Sequence, residues 1–311
     1  MTKILATGTY SETNSAALDQ MGALRLASID EIKGLDADTR NEIRALAFLG
    51  HSSLNGAYMD LLPNLGLIAN FGVGYDTIDV SEASKRGIRV TNTPDVLTGD
   101  VADLAVALLL GAAREVVPAS DWIRAGKWAS EGNFRLARRV YGGKLGIVGL
   151  GRIGRAIADR LAGFDMDIHY SSRSEKETPG WTYHDNPKSL AEAVDFLIVA
   201  LVGGPETENH VSAEVIQALG SQGILVNISR GTTVDEEALL TALETNAIAG
   251  AGLDVFVNEP DVDPRFLALE NVLLQPHQAS ATHDTRNAMG QLQRDNVTAY
   301  LSGQALLTPV N

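Results

Sequence analysis

The sequence predicts a doubly wound α/β protein of two domains with a cleft between them, and three observations carry that prediction. Gly149-Leu150-Gly151-Arg152-Ile153-Gly154 follows an apolar strand-like segment and opens an amphipathic helix-like one. Short apolar runs alternate with helical patterns on either side of it, as parallel sheets covered by helices require. The glycine run also lies near the middle of a chain of 311 residues, a length that suggests two domains rather than one.

Along the chain, Ile4 to Thr7, Ala45 to Leu49, Leu67 to Asn70 and Ile88 to Thr91 read as strands separated by helices, with no glycine fingerprint among them. Val101 to Ala113 is apolar, carries Asp103 and is too short to span a bilayer, so it reads as a buried helix. Lys144 to Val148 is the strand that leads into Gly149, and Ile153 through Ala156, Ile157 and Leu161 to Phe164 is the helix that follows. Further strands are expected at Asp167 to Tyr170, Phe196 to Leu201, Ile224 to Ile228, Ala251 to Val255 and Val272 to Leu274. The helices between them include Ser189 to Val194, Ser212 to Leu219 and Asp235 to Thr245, the last with acidic residues in its first turn, where the helix dipole favours them. Apolar helical stretches at Val101 to Ala113 and Arg286 to Leu301 flank the central unit. The chain is therefore expected to leave the first domain, build the second and return. This gives residues 1–99 with 285–311 as one domain and 100–284 as a dinucleotide-binding domain.

Composition narrows the partners. A formal net charge of -14 disfavours a broad nucleic-acid surface or an anionic membrane, leaving small molecules, for which a locally basic pocket suffices. The absence of Cys excludes a disulfide framework, a thiolate metal site and a Cys nucleophile. Met1-Thr2-Lys3-Ile4 is no secretory apolar region, so the cytoplasm is the expected compartment.

In the fingerprint, Gly149 and Gly151 allow a tight turn and close approach to a pyrophosphate at the helix start, beside Arg152 and Ile153, and Gly154 allows close helix-strand packing. Ligands of such sheets bind at the carboxyl ends of strands. There the sequence places Ser229-Arg230-Gly231 after one strand, Asp254 and Asn258-Glu259-Pro260 at the next, and Gln275-Pro276-His277 after a third. An Arg can hold a carboxylate bidentately and polarise the adjacent carbonyl, a His can exchange the proton, and a Glu can orient and charge that His. Beside a nicotinamide these residue types suit the reduction of a 2-oxoacid. Of the other histidines, His51 follows a first-domain strand, His169 lies within a strand, His184 and His210 read as loop residues, and His283 lacks an evident partner, so His277 is the better candidate.

These motifs resemble the D-isomer-specific 2-hydroxyacid dehydrogenases over nearly the whole chain. Asn70-Phe71-Gly72-Val73-Gly74-Tyr75-Asp76-Thr77-Ile78-Asp79 is similar to the family's substrate loop, and the resemblance implies that the amides of Val73 and Gly74 receive the substrate carboxylate. Val226-Asn227-Ile228-Ser229-Arg230-Gly231, Gly252-Leu253-Asp254-Val255-Phe256 through Glu259-Pro260, and Pro276-His277-Gln278-Ala279-Ser280 resemble its Arg, Asp-Glu and His motifs. By that resemblance Arg230 binds and polarises the 2-oxoacid, Glu259 supports His277, His277 donates the proton, and Asp254 contacts the nicotinamide end of the cofactor. It further implies two Rossmann-like or flavodoxin-like domains and a homodimer formed through the cofactor domain. Trp128 and Phe134 lie in a segment that, in relatives, extends towards the partner subunit. They are read either as pocket walls or as interface aromatics.

Coenzyme choice turns on the end of the second strand, where an acidic residue about 20 positions past the glycines would accept the ribose hydroxyls of NAD. Here stand Ser172, Arg173 and Ser174, hydroxyls and a guanidinium with no carboxylate, which suit a 2'-phosphate. NADPH is expected to be preferred, with NADH possible. The Ser-Arg-Ser pattern and Gln278 resemble the glyoxylate and hydroxypyruvate reductases of the family, whereas Gly203 and Gly204 stand where many relatives carry a Pro and a bulkier residue. The expectation is an NADPH-dependent reductase of a small 2-oxoacid. The alternatives are a dehydrogenase of another acid, such as a 2-ketogluconate-like sugar acid or phosphite, and a non-catalytic NAD(P)(H)-sensing regulator of the kind found in a corepressor branch of the family.

Overall fold

The computed structural model describes residues 3–311, so Met1 and Thr2 of the N-terminal stretch considered above lie outside the described residues. The chain divides into two compact units, Met1–Leu97 with Ala281–Asn311, and Thr98–Ser280.

The first unit is a parallel sheet of β1 (Ile4–Thr7), β2 (Leu24–Leu26), β3 (Ala45–Phe48), β4 (Leu67–Asn70) and β5 (Arg89–Thr91), in the order β2-β1-β3-β4-β5. Every residue of β1, β3 and β4 is buried, as expected of strands covered on two faces. Leu5, Leu46, Phe48 and Ile68 pack on one side with Ile32 and Met59. Ile4, Ala45, Leu67 and Ala69 pack on the other with Val297 of the C-terminal helix His283–Leu301.

The second unit is a parallel sheet of β6 (Lys144–Val148), β7 (Asp167–Ser171), β8 (Thr182–His184), β9 (Phe196–Val199), β10 (Ile224–Asn227), β11 (Gly250–Leu253) and β12 (Val272–Leu274). Its order is β12-β11-β10-β9-β6-β7-β8. After β6 the chain runs outward to β7 and β8, then crosses back to β9 on the other side of β6. The strand order reverses there while all strands stay parallel, and in such sheets ligands bind at the carboxyl edge of that point.

Both sheets are the doubly wound parallel α/β architecture that the alternation of apolar runs predicts. The differences lie at strand ends and edges. β2 and β8 were not expected: each has three residues, mostly half-exposed or exposed, so neither leaves an apolar run to detect. His184, expected in a loop, therefore belongs to a strand. β7 runs on to Ser171, β9 stops at Val199, and β11 ends at Leu253, which puts Asp254 just past its strand. Among the described residues no helix is long and apolar enough to cross a membrane.

Candidate active site

The crossover at β6 is shaped by its glycines. Gly149 has a φ of +99°, where L side chains are rarely found, and a Cβ there would stand 2.7 Å from the carbonyl oxygen of Ala200. A Cβ on Gly154 would stand 2.1 Å from the carbonyl oxygen of Gly149, so this glycine lets the helix Arg152–Ala162 close onto the turn. Gly151 is different: a Cβ there meets nothing within 4 Å, and the residue caps the helix without a side-chain hydrogen bond. Bare backbone thus faces open space at the positive end of a helix whose first residues are Arg152 and Ile153. This cradle fits a dinucleotide pyrophosphate.

The carboxyl ends of the neighbouring strands β10, β11 and β12 carry the polar groups. Past β10, the Arg230 carbonyl accepts from Asn227 Nδ2 (2.9 Å) and Thr233 Oγ1 (2.7 Å), and Ser229 Oγ donates to the Leu201 carbonyl at 2.7 Å. The backbone is thereby fixed on both sides of a half-buried guanidinium, one of whose nitrogens donates to the Ser229 carbonyl at 2.8 Å. Past β11, Glu259 Oε1 accepts from the Phe256 amide at 2.8 Å, and its Oε2 lies 2.7 Å from His277 Nδ1. A carboxylate so placed holds a proton on Nδ1, which leaves proton exchange, where the ring takes part in it, to Nε2.

Asp254 is fully buried, and its carboxylate accepts from the amides of Gln278 (2.6 Å) and Ala279 (3.0 Å), while its carbonyl accepts from the His277 amide at 2.8 Å. Burial pushes its carboxyl above the usual range, against the two amides and the nearby His277, which favour the charged form. Asp254 therefore ties β11 to the loop bearing His277, a positioning role that its sequence motif does not show.

In the first unit, the loop after β4 holds its carbonyls inward. Gly72 O accepts from the Thr93 amide (2.9 Å), Gly74 O from Asn70 Nδ2 (2.8 Å), and Val73 O from Asn92 Nδ2 (2.9 Å). In a planar trans peptide the N–H points opposite to the preceding carbonyl, so the amides of Val73 and Gly74 face away from these anchors. The Thr93 amide and Asn70 Nδ2 (3.2 Å), both on the Gly72 carbonyl, thus aim the Val73 amide, and Asn92, on the Val73 carbonyl, aims that of Gly74.

At the end of β7, Ser172 Oγ donates to the Ser174 carbonyl at 2.6 Å, and Tyr183 Oη donates to the Ser172 carbonyl at 3.3 Å. Arg173 and Ser174 are exposed on this turn. On the crossover past β9, Gly204 precedes a short 3₁₀ turn, Pro205–Thr207, held by Thr207 Oγ1 on the Val202 carbonyl at 2.7 Å.

Two further residues shape the centre. A Cβ on Gly231 would stand 2.0 Å from the carbonyl carbon of Phe256, so this glycine lets the Arg230 turn lie directly against the loop that carries Glu259. On that same loop, Glu236 Oε2 accepts from the Val257 amide at 2.9 Å, and burial raises the Glu236 carboxyl pKa. The glycine after Arg230 was the available signal for the first; Glu236, in the first turn of a helix, reads as an ordinary dipole partner.

Comparison with known proteins agrees with this geometry. Residues 106–279 match the model of the D-isomer specific 2-hydroxyacid dehydrogenase, NAD binding domain. The chain is 47% identical over 270 residues to 2-ketogluconate reductase of Gluconobacter oxydans (strain 621H), covering 86% of each protein. It is 44% identical over 268 residues to hydroxyphenylpyruvate reductase of Plectranthus scutellarioides, covering 86% of this chain and 85% of that one. Among solved structures, NADPH-dependent glyoxylate/hydroxypyruvate reductase from Sinorhizobium meliloti, in complex with NADP and malonate, superposes with a TM-score of 0.94 at 47% identity, over 99% of this chain and 96% of that one. A dinucleotide cradle at the sheet reversal, an Arg and a Glu-His pair on adjacent strand ends, and these similarities lead to one conclusion: the chain belongs to the D-isomer-specific 2-hydroxyacid dehydrogenases, a family of NAD(P)-dependent oxidoreductases.

Proposed function

We propose that the protein reduces a small 2-oxoacid, with glyoxylate and hydroxypyruvate foremost, to the D-2-hydroxy acid using NADPH. The observation that carries the chemistry is the Glu259-His277 pair at 2.7 Å on the strand end next to that of Arg230. Gly149, Gly151 and Gly154 would hold the pyrophosphate, and Asp254, whose carboxylate is taken up by the Gln278 and Ala279 amides, would serve the nicotinamide end through the loop that it ties down. When bound, the coenzyme supplies a hydride to the 2-carbon. Arg230 grips the substrate carboxylate and draws charge onto the carbonyl oxygen, where its fixed guanidinium stabilises the alkoxide as it forms. His277 delivers the proton to that oxygen from Nε2, and Glu259 stabilises the imidazolium before transfer. The amides of Val73 and Gly74 are proposed as further carboxylate donors, supported by their orientation within the first unit.

NADPH rather than NADH is supported by the Ser172-Arg173-Ser174 turn, which offers a cation and no carboxylate, and by the NADPH dependence named for the S. meliloti neighbour. A 2-ketogluconate-like sugar acid is the second reading, favoured by the G. oxydans relative. We further propose a homodimer formed through the cofactor unit. It is supported by the exposed apolar side chains Val116, Ile123, Trp128 and Leu136, which are 55%, 59%, 61% and 99% exposed. An acidic chain free of cysteine suits the reducing cytoplasm.

A panel of 2-oxoacids, assayed with NADPH and with NADH by loss of reduced-nicotinamide absorbance, tests the reading. Glyoxylate and hydroxypyruvate are expected to turn over fastest, and faster with NADPH. His277→Ala is expected to lower kcat by roughly 10²- to 10⁴-fold with NADPH affinity unchanged. Turnover near that of the native protein would remove His277 from the mechanism.

A further inference from the structure

We infer that Lys176 is a second cation of the 2'-phosphate site and works with Arg173 to select NADPH over NADH. The inference rests on the NADPH reading and extends it by a residue that the coenzyme pattern at the end of β7 does not include.

The turn itself shows where another donor is needed. Ser172 Oγ donates its proton to the Ser174 carbonyl at 2.6 Å, so this hydroxyl holds the turn and has no hydrogen left for a phosphate oxygen. Arg173 and the Ser174 hydroxyl remain as donors. A 2'-phosphate carries close to two negative charges near neutrality, more than one guanidinium balances. Lys176 Nζ lies 3.3 Å from Ser174 Oγ, which puts an ammonium directly on the hydroxyl that a phosphate would meet.

Lys176 is also held in place from below. Tyr170 is fully buried in β7, yet its hydroxyl reaches the loop, where it accepts from the Lys176 amide at 2.8 Å and donates to the Lys176 carbonyl at 3.0 Å. The Tyr170 ring is seated against Tyr183 of β8, with centroids 5.5 Å apart. One phenol from the sheet therefore fixes the backbone on both sides of Lys176, which lowers the entropy lost when its side chain settles on an anion.

The other nearby cation is committed elsewhere. Arg155 and Lys176 both line a groove of about 560 Å³ beside this loop. The Arg155 guanidinium donates to the Glu177 carbonyl at 2.5 Å and lies 5.6 Å from the centre of the Trp181 ring, so it props the far side of the loop. Lys176 is the cation of the pair that points at Ser174. In this arrangement Arg173 presents a planar fork and Lys176 a compact point charge, two complementary ways to hold one phosphate.

Coenzyme titrations by nicotinamide fluorescence on Lys176→Ala, Lys176→Met and Arg173→Ala test the assignment. Both Lys176 variants are expected to raise the Kd for NADPH by roughly threefold to thirtyfold and to leave that for NADH within about twofold. Lys176→Arg is expected to restore most of the NADPH affinity. The salt dependence of NADPH binding is expected to become shallower in Lys176→Met, a change that loosened packing would not produce. If Lys176→Met leaves NADPH binding intact, or weakens both coenzymes equally, while Arg173→Ala is selective for NADPH, the role of Lys176 is overturned and the NADPH reading stands. If the native protein binds NADH as tightly as NADPH, or Arg173→Ala moves both coenzymes alike, the NADPH reading falls and takes the role of Lys176 with it.

Discussion

His277 has a φ of 53°, in the left-handed region, where a residue with a Cβ is held at a cost of about 1–2 kcal/mol. Three backbone amides keep it there: His277 on the carbonyl of Asp254, and Gln278 and Ala279 on its carboxylate oxygens. Neighbouring contacts hold the partner of His277 as closely. Glu259 is fixed by the Phe256 amide, and the Phe256-Val257 peptide lies where a Cβ on Gly231 would be, 2.0 Å from the Phe256 carbonyl carbon. Gly231 thus sets the spacing between Arg230, the proposed substrate grip, and the Glu259-His277 pair proposed to move the proton. Gly231→Ala is expected to push that peptide away and carry Glu259 with it. Because a displacement of about 1 Å at a catalytic group can cost about 10²-fold, kcat is expected to fall by about that factor, with the thermal midpoint also lowered. Steady-state kinetics beside a thermal melt check this, and an alanine variant with native kcat would show that the two loops move independently. The Arg-Gly pair was visible in the sequence, but the peptide it packs against lies 25 positions downstream, and only the pairing of β10 with β11 brings the two together.

At the scale of elements, the strands that the sequence shows plainly are the interior ones. β3, β4, β9 and β10 are buried at every position, and their unbroken apolar runs announce them. The edge strands β2 and β8 carry no such signal, unlike β5 and β12, and β8 is the case with consequences. It pairs with β7 through His169 opposite Thr182 and Ser171 opposite His184, next to the turn that bears Arg173. His169 Nδ1 and His184 Nε2 are 3.0 Å apart, a hydrogen bond that needs one proton between them and is lost when both rings are charged. Burial, and then the neighbouring His169, hold the His184 pKa below the ordinary imidazole value of about 6.5. In the unfolded chain His184 takes up a proton near that value, and in the folded chain only at lower pH. Below about pH 6.5 the unfolded state therefore binds more protons, so stability is complete above that point and falls as the pH drops through the window. Thermal midpoints measured from about pH 7.5 to 5.5 are expected to decline less steeply in His184→Gln than in the native protein. Parallel curves would place the acid sensitivity elsewhere.

For the whole molecule, charge and apolar surface pull in opposite directions. A net charge of -14 makes copies of the chain repel one another, so association requires a compensating apolar area. The densest run of exposed large apolar side chains lies in one stretch of the cofactor unit, whereas Val202, Val257, Leu267, Leu301 and Leu307 stand separately along the chain. The helix Val116–Arg124 has no buried residue, and it leaves Val116, Val117 and Ile123 in solvent at 55%, 48% and 59% exposure, followed by Trp128 at 61% and Leu136 at 99%. Phe134 is different, since its ring packs edge-on to Trp122 at 5.7 Å within the same unit, which favours a structural role for it over that of a pocket wall. A surface of this kind on an acidic protein is what a stable symmetric interface needs, because burying aliphatic area contributes about 25 cal/mol per Å² against a repulsion that salt screens. Light scattering on the native protein is therefore expected to give twice the chain mass of 33.1 kDa, with the dimer retained or strengthened as salt is raised. Ile123→Asp combined with Leu136→Asp adds two charges to this stretch without touching a buried residue, and is expected to yield a monomer that still binds NADPH. A native mass of 33.1 kDa, or a double variant that stays dimeric, would mean that these side chains serve some other contact.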